Sequence, residues 1–96
     1  MTSDEIRAVW IDEDGRLFVK PHSHRFPHIY REAAEVHWDE EQSSLVGPAP
    51  REWSYFDWFK HIVGAAQSQG CRLRASARTK WRIPPDLQSE IQAWLA

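Results

Sequence analysis

Five of the twelve Lys and Arg residues in this 96-residue chain stand at even positions of one short stretch: Arg72, Arg74, Arg78, Lys80 and Arg82. Cys71, Leu73, Ala75, Ala77, Trp81 and Ile83 hold the odd positions. Side chains on an extended strand alternate between faces, so the pattern describes a ribbon with one apolar and one cationic face. Cations so placed can meet phosphates, with Trp81 stacking on a base, or the acidic surface of a protein partner. They can equally pair with carboxylates of neighbouring strands. Glu35 and Asp39, which share parity opposite Val36 and Trp38, are the candidates for such pairs. With a formal net charge of −2, where nucleic-acid modules are usually basic, internal pairing is the simpler reading of Arg72 and Arg74.

Length limits the ribbon. Thirteen extended residues would span about 43 Å, against a domain roughly 30 Å across. The ribbon therefore breaks. Residues 71–77 are expected to form a strand, and 78–82 an exposed arm or bend with Trp81 turned back as an anchor. Arg78, Lys80 and Arg82 around Trp81 are then the better site for a partner.

Other residues offer weaker chemistry. His22, His24 and His28 crowd one proline-bounded loop, which supplies neither a strand nor helical i, i+4 spacing and holds no Cys or acid. No metal site is expected there. Cys71 sits on the apolar parity directly after Gly70, which predicts a buried, inert thiol. The adjacent acids Glu13–Asp14 and Glu40–Glu41 fall in turns, where they are solvated. There is no glycine-rich phosphate loop and no nucleophile elbow, so neither enzymatic activity nor a cofactor is expected. Trp53, Tyr55 and Trp58, near Glu52 and Asp57, could form an aromatic box for a cationic small molecule. Packing of the same rings on a sheet is the simpler account.

The elements that would position these residues can be read in order. Ile6–Asp12 and Arg16–Lys20 flank Glu13-Asp14-Gly15 and predict a hairpin. Residues 22–27 read as a loop, and 28–34 as either a short helix or a strand. Residues 36–38 and 44–46 form a second hairpin around the turn at 39–43. Ser54 caps a helix whose apolar stripe includes Tyr55, Trp58, Phe59, Ile62, Val63, Ala65 and Ala66, and Gly70 ends it. A final helix runs from about Pro85 to Trp94, with Leu87, Ile91, Trp94 and Leu95 turned inward. The fold class is α+β: one small domain, a mainly antiparallel four- to five-stranded sheet with two helices on one face.

Composition agrees with one folded domain. The six tryptophans could supply much of its core, at about 150–250 Å² each. A single cysteine excludes an internal disulfide framework. With an acidic start and only short apolar runs, the chain is expected to be cytoplasmic and away from membranes. Residues 1–48 hold ten acids against five bases, and residues 49–96 hold four against seven. Such complementary halves suit self-association.

Four strings carry a family resemblance: Trp10 to Pro21, Phe26 to Ala34, Val36 to Asp39, and Pro50 to Phe59. Their order resembles that of small uncharacterised bacterial proteins carried on integron gene cassettes. The resemblance implies a bacterial protein of the mobile gene pool, of unusual fold and unassigned activity, and it assigns no functional residues. The expected role is a non-enzymatic binding or protein-interaction module using Arg72, Arg74, Arg78, Lys80, Trp81 and Arg82. Nucleic-acid binding is the alternative, beside a cationic ligand in an aromatic pocket.

Overall fold

The first hairpin turns through Gly15, whose φ of 81° is open to glycine at no steric cost. Asp12 organises the same turn, its carboxylate accepting from the backbone N–H groups of Asp14 and Arg16 and from the Arg16 guanidinium. The computed structural model describes residues 2–96. The hairpin consists of β1 (Thr2–Ile11) and β2 (Leu17–Pro21). A loop with a 3₁₀ turn at Ile29–Arg31 leads to β3 (His37–Asp39) and β4 (Ser44–Gly47). Helix α1 (Tyr55–Ser68), strands β5 (Cys71–Arg74) and β6 (Lys80–Arg82), and helix α2 (Pro85–Leu95) complete the chain.

The fold is α+β, and its sheet has six strands in the order β3-β4-β2-β1-β5, with β6 also paired to β1. It is mixed: β5 and β6 both run parallel to β1, while the remaining ladders are antiparallel. The parallel pairings follow from chain order, because α1 carries the chain back across one face before β5 begins. Both helices bury their stripes on that face. Trp58, Phe59, Ile62 and Ala66 of α1 and Leu87 and Ile91 of α2 join Val9, Val19, Leu45, Cys71 and Leu73 in one core. Ser54 and Asp57 exchange hydrogen bonds in a full capping box at the start of α1. Gly70, at φ 90°, ends it.

The ribbon does break, but not as an exposed arm. Residues 71–74 pair with Thr2–Glu5, and residues 80–82 return to pair with Ala8–Trp10. The intervening residues 75–79 leave the ladder. Across β1, on the β2 side, the register slips between Ile6 and Ala8, a β-bulge. Thr79 ties the loop to this point. Its buried hydroxyl donates to the Ile6 carbonyl at 2.6 Å and accepts the Ser76 N–H at 2.9 Å. Glu5 holds the other side of the loop, accepting from the Ser76 hydroxyl and, at 2.9 Å, from Arg78.

Asp4 fixes a second loop. Its carboxylate accepts the N–H groups of Ser23 at 3.0 Å and His24 at 2.8 Å, and the Ser23 hydroxyl at 3.3 Å. Partial burial pushes this carboxyl up, but the bonds from His24, Ser23 and Glu5 outweigh it and hold the group below its ordinary value of 3.8.

The tryptophans do not fill the core as their number suggests. Trp58 is buried, and Trp38 and Trp81 pack partly against the core, but Trp53 and Trp94 are exposed and Trp10 lies on the opposite sheet face. Trp94 touches Phe56 and Phe59 edge-on, with its inward role on α2 left to Leu87 and Ile91.

Two predictions follow from the tethers. Thr79→Val leaves the Ile6 carbonyl and the Ser76 N–H without partners and should cost about 1–3 kcal/mol in urea unfolding. Thr79→Ser should retain most of that, and an unchanged midpoint for Thr79→Val sinks the assignment. A carboxyl held low in the folded state stabilises the fold above its unfolded value and ceases to do so as pH falls through its folded value. Wild-type stability should therefore drop more steeply than that of Asp4→Asn as pH is lowered from about 5. Parallel pH profiles would rule the tether out.

Candidate functional site

The face of the sheet opposite the helices carries two rows of side chains set by strand register. Lys20, Ala8 and Lys80 are opposite one another across β2, β1 and β6. One step along, Val46, Phe18, Trp10 and Arg82 form the next row. Opposed residues on neighbouring strands project to the same side, so each row stands on one face. Two strand spacings place Lys20 and Lys80 roughly 10 Å apart, with only the methyl of Ala8 between them.

The centre of this face is built from aromatic rings. Trp10 stacks on Phe18 with centroids 4.9 Å apart and planes 9° from parallel, and the Arg16 guanidinium lies 5.5 Å from the Phe18 centroid. Phe18 and Val46 are thereby buried although no helix covers them. Beside the rings lies an open groove of about 670 Å³, lined by Arg7, Ala8, Val9, Trp10, Lys20, Gln42, Arg78, Lys80 and Arg82. Five of these are cations and none is a carboxylate. Arg78 is paired with Glu5, at 2.9 Å and mostly exposed, a geometry that contributes little. Among the described residues Arg7, Lys20, Lys80 and Arg82 have no acid within 4.0 Å.

The six residues expected to make the contact surface are thus divided. Arg78, Lys80 and Arg82 do converge on the groove. Trp81 does not: it is opposite Val9 and packs on the core side, so it anchors β6 and faces away from the cations. Arg72 and Arg74 are exposed beside Ser3 and Glu5, with no ion pair among the described residues. The expected partners are out of reach, because β3 is four spacings from β5, roughly 19 Å. Glu35 instead meets Arg51, and Asp39 accepts the N–H of Gln42 in its own turn. Arg7, Trp10 and Lys20 complete the groove and were not expected there. The bulge conceals Arg7 and Trp10, since it moves the outward positions of β1 from odd to even partway along the strand.

A second cluster lies on the other side of the molecule, at the start of α1. Trp53, Trp58 and His61 touch pairwise, with centroids 4.8, 5.1 and 5.7 Å apart. The expected box is only half assembled, because the Tyr55 hydroxyl donates to the Gly15 carbonyl at 2.8 Å and Asp57 belongs to the helix cap. Nearby Glu35 holds φ at 66°, a left-handed conformation that costs a non-glycine residue about 1–2 kcal/mol. Of the histidines at 22, 24 and 28, His24 packs on Phe26 and His28 on Tyr30. No helix of the described residues is long and apolar enough to cross a membrane.

Residues 4–79 match the model of a protein family described as Integron Cassette Protein Hfx_Cass5. The chain belongs to this integron cassette family. The family resemblance read from the four strings is therefore correct. A solved structure of Integron Cassette Protein Hfx_Cass5, from the mobile metagenome of North West Arm Sewage Outfall, is 42% identical to it. That similarity covers 97% of this chain and 95% of the other, with a TM-score of 0.51. No curated protein matches the chain. Neither match names an activity or a ligand for Hfx_Cass5. The stretch matched by the family model includes Arg7, Trp10, Lys20 and Arg78 and stops one residue before Lys80.

Cys71 lies buried on β5, and burial foremost, with the Asp4 carboxylate second, pushes its thiol up from the usual value of 9.0. The thiolate is the reactive form, so native protein should resist a thiol-directed disulfide reagent at mildly alkaline pH and react fully in urea. Rapid stoichiometric labelling of the native chain would contradict this placement.

Proposed function

We propose that this cassette-family protein is a non-enzymatic binding module, and that its helix-free face takes a ligand combining phosphate with a planar ring. The chemistry is that of a nucleotide unit, free or within a single strand. One observation carries the reading: Trp10 stands between Phe18 and Arg82, beside Lys20 and Lys80, in a groove with no carboxylate among its lining residues. A ring stacked on an aromatic side chain contributes about 1–3 kcal/mol, and a groove lined by cations tracks a phosphate backbone. The negative net charge is no obstacle, because a local field depends on where the acids lie. Glu5 is the acid nearest the groove cations, and it is already engaged by Arg78.

An acidic protein surface, including the hairpin of a second copy, would meet the same cations. It would have no use for an indole in the groove lining, so Trp10 favours the nucleotide reading.

Fluorescence anisotropy of a labelled oligothymidine titrated across salt concentrations tests the proposal. Affinity should fall with salt at a log–log slope of about −3, from about 0.7 for each of four cations. Lys80→Ala with Arg82→Ala, both at exposed positions, should roughly halve that slope. Trp10→Leu should weaken binding about tenfold and leave the slope unchanged. Competition by free mononucleotide at concentrations near the oligonucleotide's Kd would assign the site to the free form. Absence of binding at low salt, or a slope indifferent to Lys80 and Arg82, defeats the reading. A concentration-dependent dimer in sedimentation, lost in the same double variant, would transfer these cations to self-association.

A further inference from the structure

We infer that the cleft at the start of α1 is a second binding site, independent of the sheet-face groove, and that it takes a small organic cation. The cleft has a volume of about 660 Å³, within the size range of small-molecule sites. One wall is aromatic. Trp58 is buried and supports Trp53, which leaves 45% of its surface exposed, while His61 meets Trp53 edge-on at 84°. Because the rings touch one another they form a wall and not a closed cage, so the ligand rests on the free surface of Trp53.

Carboxylates supply the charge selection. Glu32, Glu35 and Glu52 all line the cleft, against the single cation Arg51. Glu32 accepts from Gln69 at 2.6 Å, and Glu35 holds the exposed Arg51 guanidinium at 3.4 Å. Glu52 makes no hydrogen bond or ion pair among the described side chains. An aromatic face carries negative potential, so rings and acids attract the same charge. Arg51 pairs with Glu35 only in a weak, exposed contact, so a ligand cation can compete with it for that carboxylate. The small residues Ala33, Ala34, Pro48 and Ala49 complete the lining and provide apolar surface for the body of the ligand. A neutral molecule of the same shape would gain only the apolar contact, and an anion would be repelled.

The probe is benzyltrimethylammonium, titrated calorimetrically into the full chain beside benzyl alcohol as neutral comparator and benzoate as anion. Saturable binding of the cation should be about tenfold tighter than that of the alcohol, with none of benzoate. Trp53→Leu, at a half-exposed position, should weaken the cation about tenfold. Glu52→Gln should weaken it several-fold and reduce its salt sensitivity. Neither variant should alter oligothymidine binding, so failure here and failure at the sheet-face groove are separately visible. Equal affinity for cation and alcohol, no saturable binding, or wild-type affinity in a folded Glu52→Gln variant overturns the inference. A change in urea midpoint identifies any variant whose loss is only structural, in which case Glu52→Gln decides.

Discussion

Strand β1 serves three ladders at once, antiparallel to β2 along one side and parallel to β5 and then β6 along the other. These cannot share one uninterrupted register, and the conflict is taken up between Ile6 and Ala8. The bulge reverses which residues face outward. On the opposite side residues 75–79 step out of the sheet, which would strand the Ile6 carbonyl in the interior. The Thr79 hydroxyl donates to that carbonyl and accepts the Ser76 N–H, so both groups are paired across the gap. Both halves of the molecule's outer face depend on that closure. Below it Ser3 and Glu5 stand beside Arg72 and Arg74, and above it Ala8 and Trp10 stand beside Lys80 and Arg82.

The acids of the first half do not neutralise the bases of the second wholesale. Asp12 pairs with Arg16 and Asp57 with Lys60 within one turn of chain, Glu40 meets Arg25 and Glu35 meets Arg51 across loops, and Asp4 takes the backbone of residues 23 and 24. Among the described residues, only Glu5 reaches a cation of the ribbon. The reason is topological, since β3 and its acids occupy the far edge of the sheet from β5. Charge is therefore separated by face and by edge, with a basic groove on the open side and a carboxylate-lined cleft at the start of α1.

Much of this was legible in the residues. Gly15, the Ser54 cap, Gly70 and Pro85 marked turns and helix ends correctly, because each acts through its own backbone and its near neighbours. The breaking of the ribbon followed from length alone. Its return to the sheet did not, because nothing near residues 78–82 reveals that β1 offers a free edge about seventy residues earlier. Trp10 and Ala8 were hidden for a related reason. A bulge shifts parity without a sequence signal, so period-2 reading misassigns the faces of β1. The location of Trp53 on the surface was equally invisible, because composition counts rings without saying which of them find a partner layer.

The mixed ladder also governs the order in which the sheet can be completed. β1 and β2 are neighbours in sequence, and β3 and β4 form their own hairpin, so a four-stranded antiparallel sheet in the order β1-β2-β4-β3 can assemble from the first half of the chain. The second side of β1 must wait for residues 71–82 to emerge from the ribosome. Until then the nascent sheet displays a bare strand edge, the kind of surface that recruits other chains. Asp4, Glu5 and Arg7 lie along that edge, and charges there discourage such pairing. A carboxylate such as Glu5 on that edge would disfavour strand addition before the last quarter of the chain covers it, and in the finished fold the same group grips the 75–79 loop.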